Sequence, residues 1–122
     1  MTLATDWIKS AEMQLQRGSI DNSFADPIVD LLELCERSPR EALEVIYEIL
    51  SYDPNDEIIG YLGAGPLESL LVSNCDQFIE ELINRSKSSR GLLLCLKSVD
   101  LDDSECDMAD FFYDAIRGLS LE

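Results

Sequence analysis

The chain has 122 residues, 25 acidic and nine basic side chains, no histidine and a formal charge of −16. That length suits one domain, and that charge repels nucleic acid and anionic lipid while attracting basic proteins. The 46% hydrophobic residues are periodic rather than absent, which excludes disorder, and no apolar run approaches the ~20 residues that span a bilayer. The start, Met1 to Trp7, lacks the basic and apolar regions of a signal peptide. The expectation is a single helical domain over residues 1–122, cytoplasmic, without a nucleic-acid or membrane partner.

In chain order, Thr5 reads as the cap of a first helix, with Trp7, Ile8, Ala11 and Leu15 as its apolar stripe and Gly18 closing it. Residues 19–25 form a polar connection. Asp26-Pro27 opens a second helix with proline in its first turn, and Ile28, Leu31, Leu32 and Cys35 make its buried face. Ser38-Pro39 repeats the punctuation for a third helix running to about Tyr52, with Ala42, Leu43, Ile46, Ile49 and Leu50 inward and Glu41, Glu44 and Glu48 outward. Asp53-Pro54-Asn55-Asp56 is a turn whose Asx side chains cap the next helix.

A fourth helix carries Ile58, Ile59 and Leu62 into Gly60–Leu71, which holds three of the six glycines. Each glycine costs a helix about 1 kcal/mol relative to alanine, so this segment needs a structural reason. Gly65 reads as an N-cap, Pro66 as the first helical residue, and Glu68 as a carboxylate reaching back to the cap. Gly60 and Gly63 admit a close helix neighbour. The spacing is not a dinucleotide fingerprint, because no strand precedes it. Gly63, Gly65, Pro66 and Glu68 are thus a structural hinge. Beyond it, Leu67, Leu70 and Leu71 continue the apolar face, and Asn74 caps the next helix, with Phe78, Ile79, Leu82 and Ile83 inward. After a polar break at 86–89, Arg90–Lys97 is apolar nearly all round and belongs at the centre. Ser104 caps a last helix in which Met108, Phe111, Phe112, Ala115, Ile116 and Leu119 face inward. No stretch alternates with period two. The fold class is all-α, six to seven helices in a compact bundle or a short right-handed stack, without a sheet.

The segment Ala64-Gly-Pro-Leu-Glu-Ser-Leu-Leu71 resembles the Ala-Gly-Pro-Leu-Glu-Asp-Leu-Leu signature of a family of small, uncharacterised bacterial helical proteins. The resemblance extends over residues 38–99, through Pro39–Leu50 upstream and Phe78-Ile79 and Arg90–Leu93 downstream. Ser69 stands where the signature has its second acid, and Asn74-Cys75 where the family often has His-Gly. The resemblance implies a helical bacterial domain and no established activity.

Chemistry is sparse. Cys35, Cys75, Cys95 and Cys106 are widely spaced, with no Cys-x-x-Cys, so four free thiols are expected and no zinc. Asp100, Asp102, Asp103, Glu105 and Asp107 lack the ordered pattern of a calcium loop. There is no nucleophile elbow and no phosphate loop. The expectation is no enzyme, no catalytic residue, no metal and no cofactor.

What stands out is surface charge. Glu41 to Glu81 contains ten acids and no base, and Ser98 to Ile116 contains seven acids and no base. Glu41, Glu44 and Glu48 form one helical stripe, with Tyr47 beside it. Asp107, Asp110 and Asp114 repeat the spacing, with Tyr113 beside them. Like charges at this spacing cost an isolated helix a few tenths of a kcal/mol, a cost that a basic partner relieves. These eight residues are the candidate partner-binding site. The function class is an acidic protein-binding module, foremost an immunity-type inhibitor that masks a basic toxin such as a nuclease. The alternatives are a nucleic-acid mimic that occupies a DNA-binding protein and a structural or regulatory adaptor with an apolar groove.

Overall fold

The computed structural model describes residues 2–17, 26–101 and 109–119. Among them are seven α-helices and no strand: α1 (Leu3–Arg17), α2 (Asp26–Arg37), α3 (Pro39–Ser51), α4 (Asp56–Leu62), α5 (Glu68–Ser86), α6 (Arg90–Lys97) and α7 (Ala109–Arg117). Gly18, the connection at 19–25, Ser104 and Met108 lie outside the described residues.

Most boundaries are set by local punctuation. Thr2, rather than Thr5, caps α1: its Oγ1 accepts the Thr5 amide at 3.3 Å while Thr5 Oγ1 accepts the Thr2 amide at 3.1 Å. This reciprocal box satisfies two amides that a helix start leaves unpaired, and so draws the helix start back to Leu3. Pro39 occupies the first turn of α3 behind Ser38, where its missing N–H costs nothing. Asp53 ends that helix at φ 53°, a left-handed conformation that a short polar side chain tolerates. Asn55 then caps α4, its Oδ1 accepting the Ile58 amide at 3.0 Å. Ser89 does the same for α6 with the Leu92 amide at 3.2 Å.

The glycine–proline segment is not a break between helices. Leu62, Gly63, Leu67 and Glu68 all keep right-handed helical dihedrals, and Gly63–Leu67 forms one π-helical turn joining α4 to α5. An α-turn would drive the Pro66 ring into the carbonyl four residues back; the wider turn accommodates it. The Glu68 amide closes the turn on the Gly63 carbonyl, five residues earlier. Gly65 is therefore no N-cap. Glu68 does not reach back to one either: its Oε1 accepts the Asp100 amide at 2.9 Å. The true interruption comes at Asn74 (φ −141°, ψ 44°), where the carboxamide donates to the Leu70 carbonyl at 3.3 Å.

The glycines serve a close approach, as their spacing suggested, but unequally. A Cβ on Gly63 would collide with the Cys95 carbonyl oxygen and crowd Ser98 Cβ at 2.9 Å, whereas one on Gly60 would meet only Ser98 Oγ at 3.6 Å. Helix α6 thus lies with its backbone on Gly63, in the elbow formed by α4, the π-turn and α5. The Pro66 carbonyl on the same turn accepts the Cys35 thiol of α2 at 3.4 Å.

Helix α2 packs on α1, α3 and α5, and α1 also meets α3 and α4. Contacts between helices so distant in sequence describe a compact bundle, not a stack in which each unit touches only its neighbours. Trp7, Phe78 and Phe112 are its largest fully buried side chains. Trp7 meets the Tyr61 ring edge-on, with centroids 5.6 Å apart. Its indole N–H has no partner among the described residues, a cost of about 1–3 kcal/mol offset by the area the ring buries. No described helix is long and apolar enough to cross a membrane.

Candidate functional site

The two acidic stripes share a sequence pattern and receive different surroundings. On α3, Glu41 and Glu44 face solvent. Glu48 is half-buried and accepts hydrogen bonds from Thr2 Oγ1 at 2.8 Å and from the Tyr52 hydroxyl at 3.4 Å. Tyr47 is half-buried and points into the α3–α5 seam. Its hydroxyl donates to Glu81 Oε2 at 2.8 Å, and the Arg85 guanidinium lies 4.3 Å over its ring.

Glu81 is the centre of that seam. Arg40 grips it with both terminal nitrogens, at 3.0 and 2.9 Å, the two-pronged geometry that guanidinium and carboxylate share. These bonds, together with that from Tyr47, hold the Glu81 carboxyl below its ordinary range against some desolvation. The same contact raises Arg40. Burial first, and then the bond to Glu81, pushes the Tyr47 phenol up. Arg40 also reaches Glu44 at 3.9 Å and covers the Phe78 ring at 5.2 Å. The cations bordering the α3 stripe are therefore engaged inside the molecule, and the stripe's tyrosine is a packing element.

The α7 stripe is arranged otherwise. Asp107 lies outside the described residues. Asp110 and Asp114 are exposed, and among the described residues Asp114 has only a surface contact, with Arg117 at 3.6 Å. Tyr113 turns inward: its hydroxyl takes the Leu101 amide at 2.6 Å and lies 3.2 Å from the Leu101 carbonyl. Lys97 fastens the other end of α7 by donating to the Ile116 carbonyl at 3.3 Å. The buried row of α7 is Ala109, Phe112 and Ile116.

That row fixes the place of Phe111. At 100° per residue it stands a full step round the helix from Phe112, and it is 49% exposed. Expected inside, it is outside, while Tyr113, expected as a surface anchor, is held by Leu101. The signal was available: centring the helical wheel on 109, 112 and 116 leaves 111 and 115 on the flank. Phe111 and Ala115 of α7 face Glu80, Ile83, Asn84 and Lys87 of α5 across a groove of about 460 Å³.

The remaining predicted groups hold structure. Gly63, Gly65, Pro66 and Glu68 build the π-turn and its tether to Asp100. Cys35 and Cys95 are buried free thiols. Burial, then the neighbouring Glu36, raises Cys35 to about 11, and burial raises Cys95 as well; a thiol kept protonated is a poor nucleophile. Of the carboxylates between Asp100 and Asp107, only Asp100 lies among the described residues, none of which gather three or more Cys, Asp or Glu side chains fit to hold a metal.

The model of a family of unknown function, DUF6869, matches residues 18–108, and the chain belongs to that family. Helices α1 and α7 fall on either side of the matched span. No curated protein and no solved structure matches the chain.

Proposed function

We propose that this member of the DUF6869 family is an acidic protein-binding module whose partner presents a basic surface. Its specific form is an immunity-type inhibitor, bacterial and cytoplasmic, that masks a basic toxin such as a nuclease. The reading assigns the chain no reaction and no cofactor.

One observation carries it. Among the described residues, four of the nine cations engage side chains of the chain itself, Arg40 with Glu81, Arg85 with Tyr47, Arg90 with Asp56 and Arg117 with Asp114. Glu41, Glu57 and Asp110 stay exposed without an ion-pair partner among those residues. These carboxylates face solvent on a chain of net charge −16, and a field of one sign speeds encounter with an oppositely charged protein.

The test is co-expression with the product of the adjoining reading frame, and then binding kinetics at about 50 and 300 mM salt. The expected result is a basic partner whose association slows ~10-fold or more at the higher salt. A product that does not bind, or one whose binding ignores salt, sinks the reading. The adaptor alternative keeps one favourable observation, the groove beside Phe111.

A further inference from the structure

We propose that the α5–α7 groove receives an amphipathic helix of the basic partner. Its apolar row would seat on Ile83, Phe111 and Ala115, and its flanking lysines or arginines would meet Glu80, Asp110 and Asp114. This rests on the reading of the chain as an acidic binding module and names the surface that does the binding.

The shape of the groove argues for a helix. Its walls are two helical ridges, residues 80, 83, 84 and 87 on α5 and residues 111 and 115 on α7, which run at helical spacings. An added strand needs backbone donors and acceptors from its host, and helical walls have theirs already paired. Side-chain ridges instead suit the apolar row of another helix. The groove volume of about 460 Å³ falls in the usual range of binding clefts, roughly 300–1,000 Å³.

Phe111 argues for an occupant. A phenylalanine left 49% exposed on a helix anchored by its buried row of Ala109, Phe112 and Ile116 forgoes part of the ~1.5–3 kcal/mol that full burial brings. Aromatic anchors ringed by polar groups are where binding energy concentrates.

The sign of the surroundings argues for a basic occupant. Glu80 lines the groove, and Asp110 and Asp114 form the next row round α7 from Phe111 and Ala115. Lys87 is the one cation among the described lining residues, and Arg117 touches Asp114 through an exposed contact at 3.6 Å that a partner's lysine or arginine would displace. The four lining residues on α5 lie in the family-matched span and the two on α7 lie beyond it.

The experiment uses the full chain and a fluorescein-labelled synthetic helix of about 18 residues, with a leucine row flanked by lysines, alongside its glutamate-flanked counterpart. The lysine peptide should bind and the glutamate peptide should not. Phe111→Ser should weaken binding ~10-fold or more while lowering the thermal midpoint by only a few degrees, roughly the cost of its buried half. Lys87→Glu should tighten it several-fold at low salt, a gain that misfolding does not produce. Salt-sensitive binding that Phe111→Ser leaves unchanged overturns the groove and spares the acidic-module reading. Equal binding of both peptides, still dependent on Phe111, keeps the groove and overturns its basic occupant. Binding of neither peptide overturns the groove, the module reading then standing or falling with the adjoining-frame test. Self-association abolished by Phe111→Ser makes a second copy the occupant and overturns the proposal.

Discussion

Helices α3 and α7 carry the same short pattern, two acids four apart with a tyrosine just before the second (Glu44, Tyr47 and Glu48; Asp110, Tyr113 and Asp114), and the fold treats the two differently. Across from α3 stands the long helix α5, with Glu81 and Arg85 facing Tyr47 and Arg40 closing the clasp. Across from Tyr113 stands bare backbone at Leu101, and on the other flank of α7 an open groove holds Phe111. One pattern thus yields a closed polar seam and the other an open apolar edge with an acidic border. A stripe on a helical wheel says which residues share a face. What they do depends on the element opposite.

The largest way to break this contrast is to remove what both helices share. Helices α3 and α7 both pack on α5 and α6, and α6 is seated on Gly63. Gly63→Ala forces a methyl into the Cys95 carbonyl and should cost at least ~1–3 kcal/mol by chemical denaturation. Gly60→Ala, with only an ordinary contact at 3.6 Å, should be neutral or stabilise by up to ~1 kcal/mol through helix propensity. Equal losses at the two positions would mean that α6 does not lie on Gly63.

A smaller effect separates the tyrosines. Tyr113→Phe leaves the Leu101 amide without its 2.6 Å partner and should cost about 1–2 kcal/mol. Tyr47→Phe removes one bond from a carboxylate that keeps both contacts with Arg40, so a loss of about 0.5–1 kcal/mol is expected. Urea midpoints of the two variants decide it, and a reversed order would make α3 the more dependent helix.

The smallest effect is a pH dependence confined to the α3 seam. The Glu81 carboxyl is lowered in the folded state, so its contribution is fully present above its unfolded value and fades as pH falls through the folded one. Glu81→Gln should be less stable than the parent by about 1 kcal/mol near neutrality. The gap should narrow below about pH 5. A gap that is constant with pH would mean that the ionised carboxylate is not what the clasp uses.

The same residues show how far the sequence could be read. Pro39, Asn55 and Ser89 mark helix starts through their own side chains and dihedrals, and the structure places starts there. The run Arg90–Lys97 was apolar nearly all round, and its Leu92, Leu93, Cys95 and Leu96 are buried. Gly60–Leu71 was legible as unusual but not as continuous, because a proline turn can end a helix or widen it. The Cys95 backbone pressed on Gly63 and the Cys35 thiol on the Pro66 carbonyl are contacts from far along the chain. The exchange of roles between Phe111 and Tyr113 was hidden for a similar reason. Both are aromatic and one position from the buried row, and only Leu101 on one side and the α5 ridge on the other tell them apart.

The sequence by itself determined the all-α class, the helix starts at Pro39 and behind Asn55, most of the apolar rows and the excess of carboxylates, because each is set by neighbours within about one turn or by simple composition. The tertiary structure alone decided which charges are spent on each other, which aromatic is sealed and which stays open. Those outcomes depend on side chains brought together from tens of residues apart, as Arg40 meets Glu81, and no local rule contains that distance.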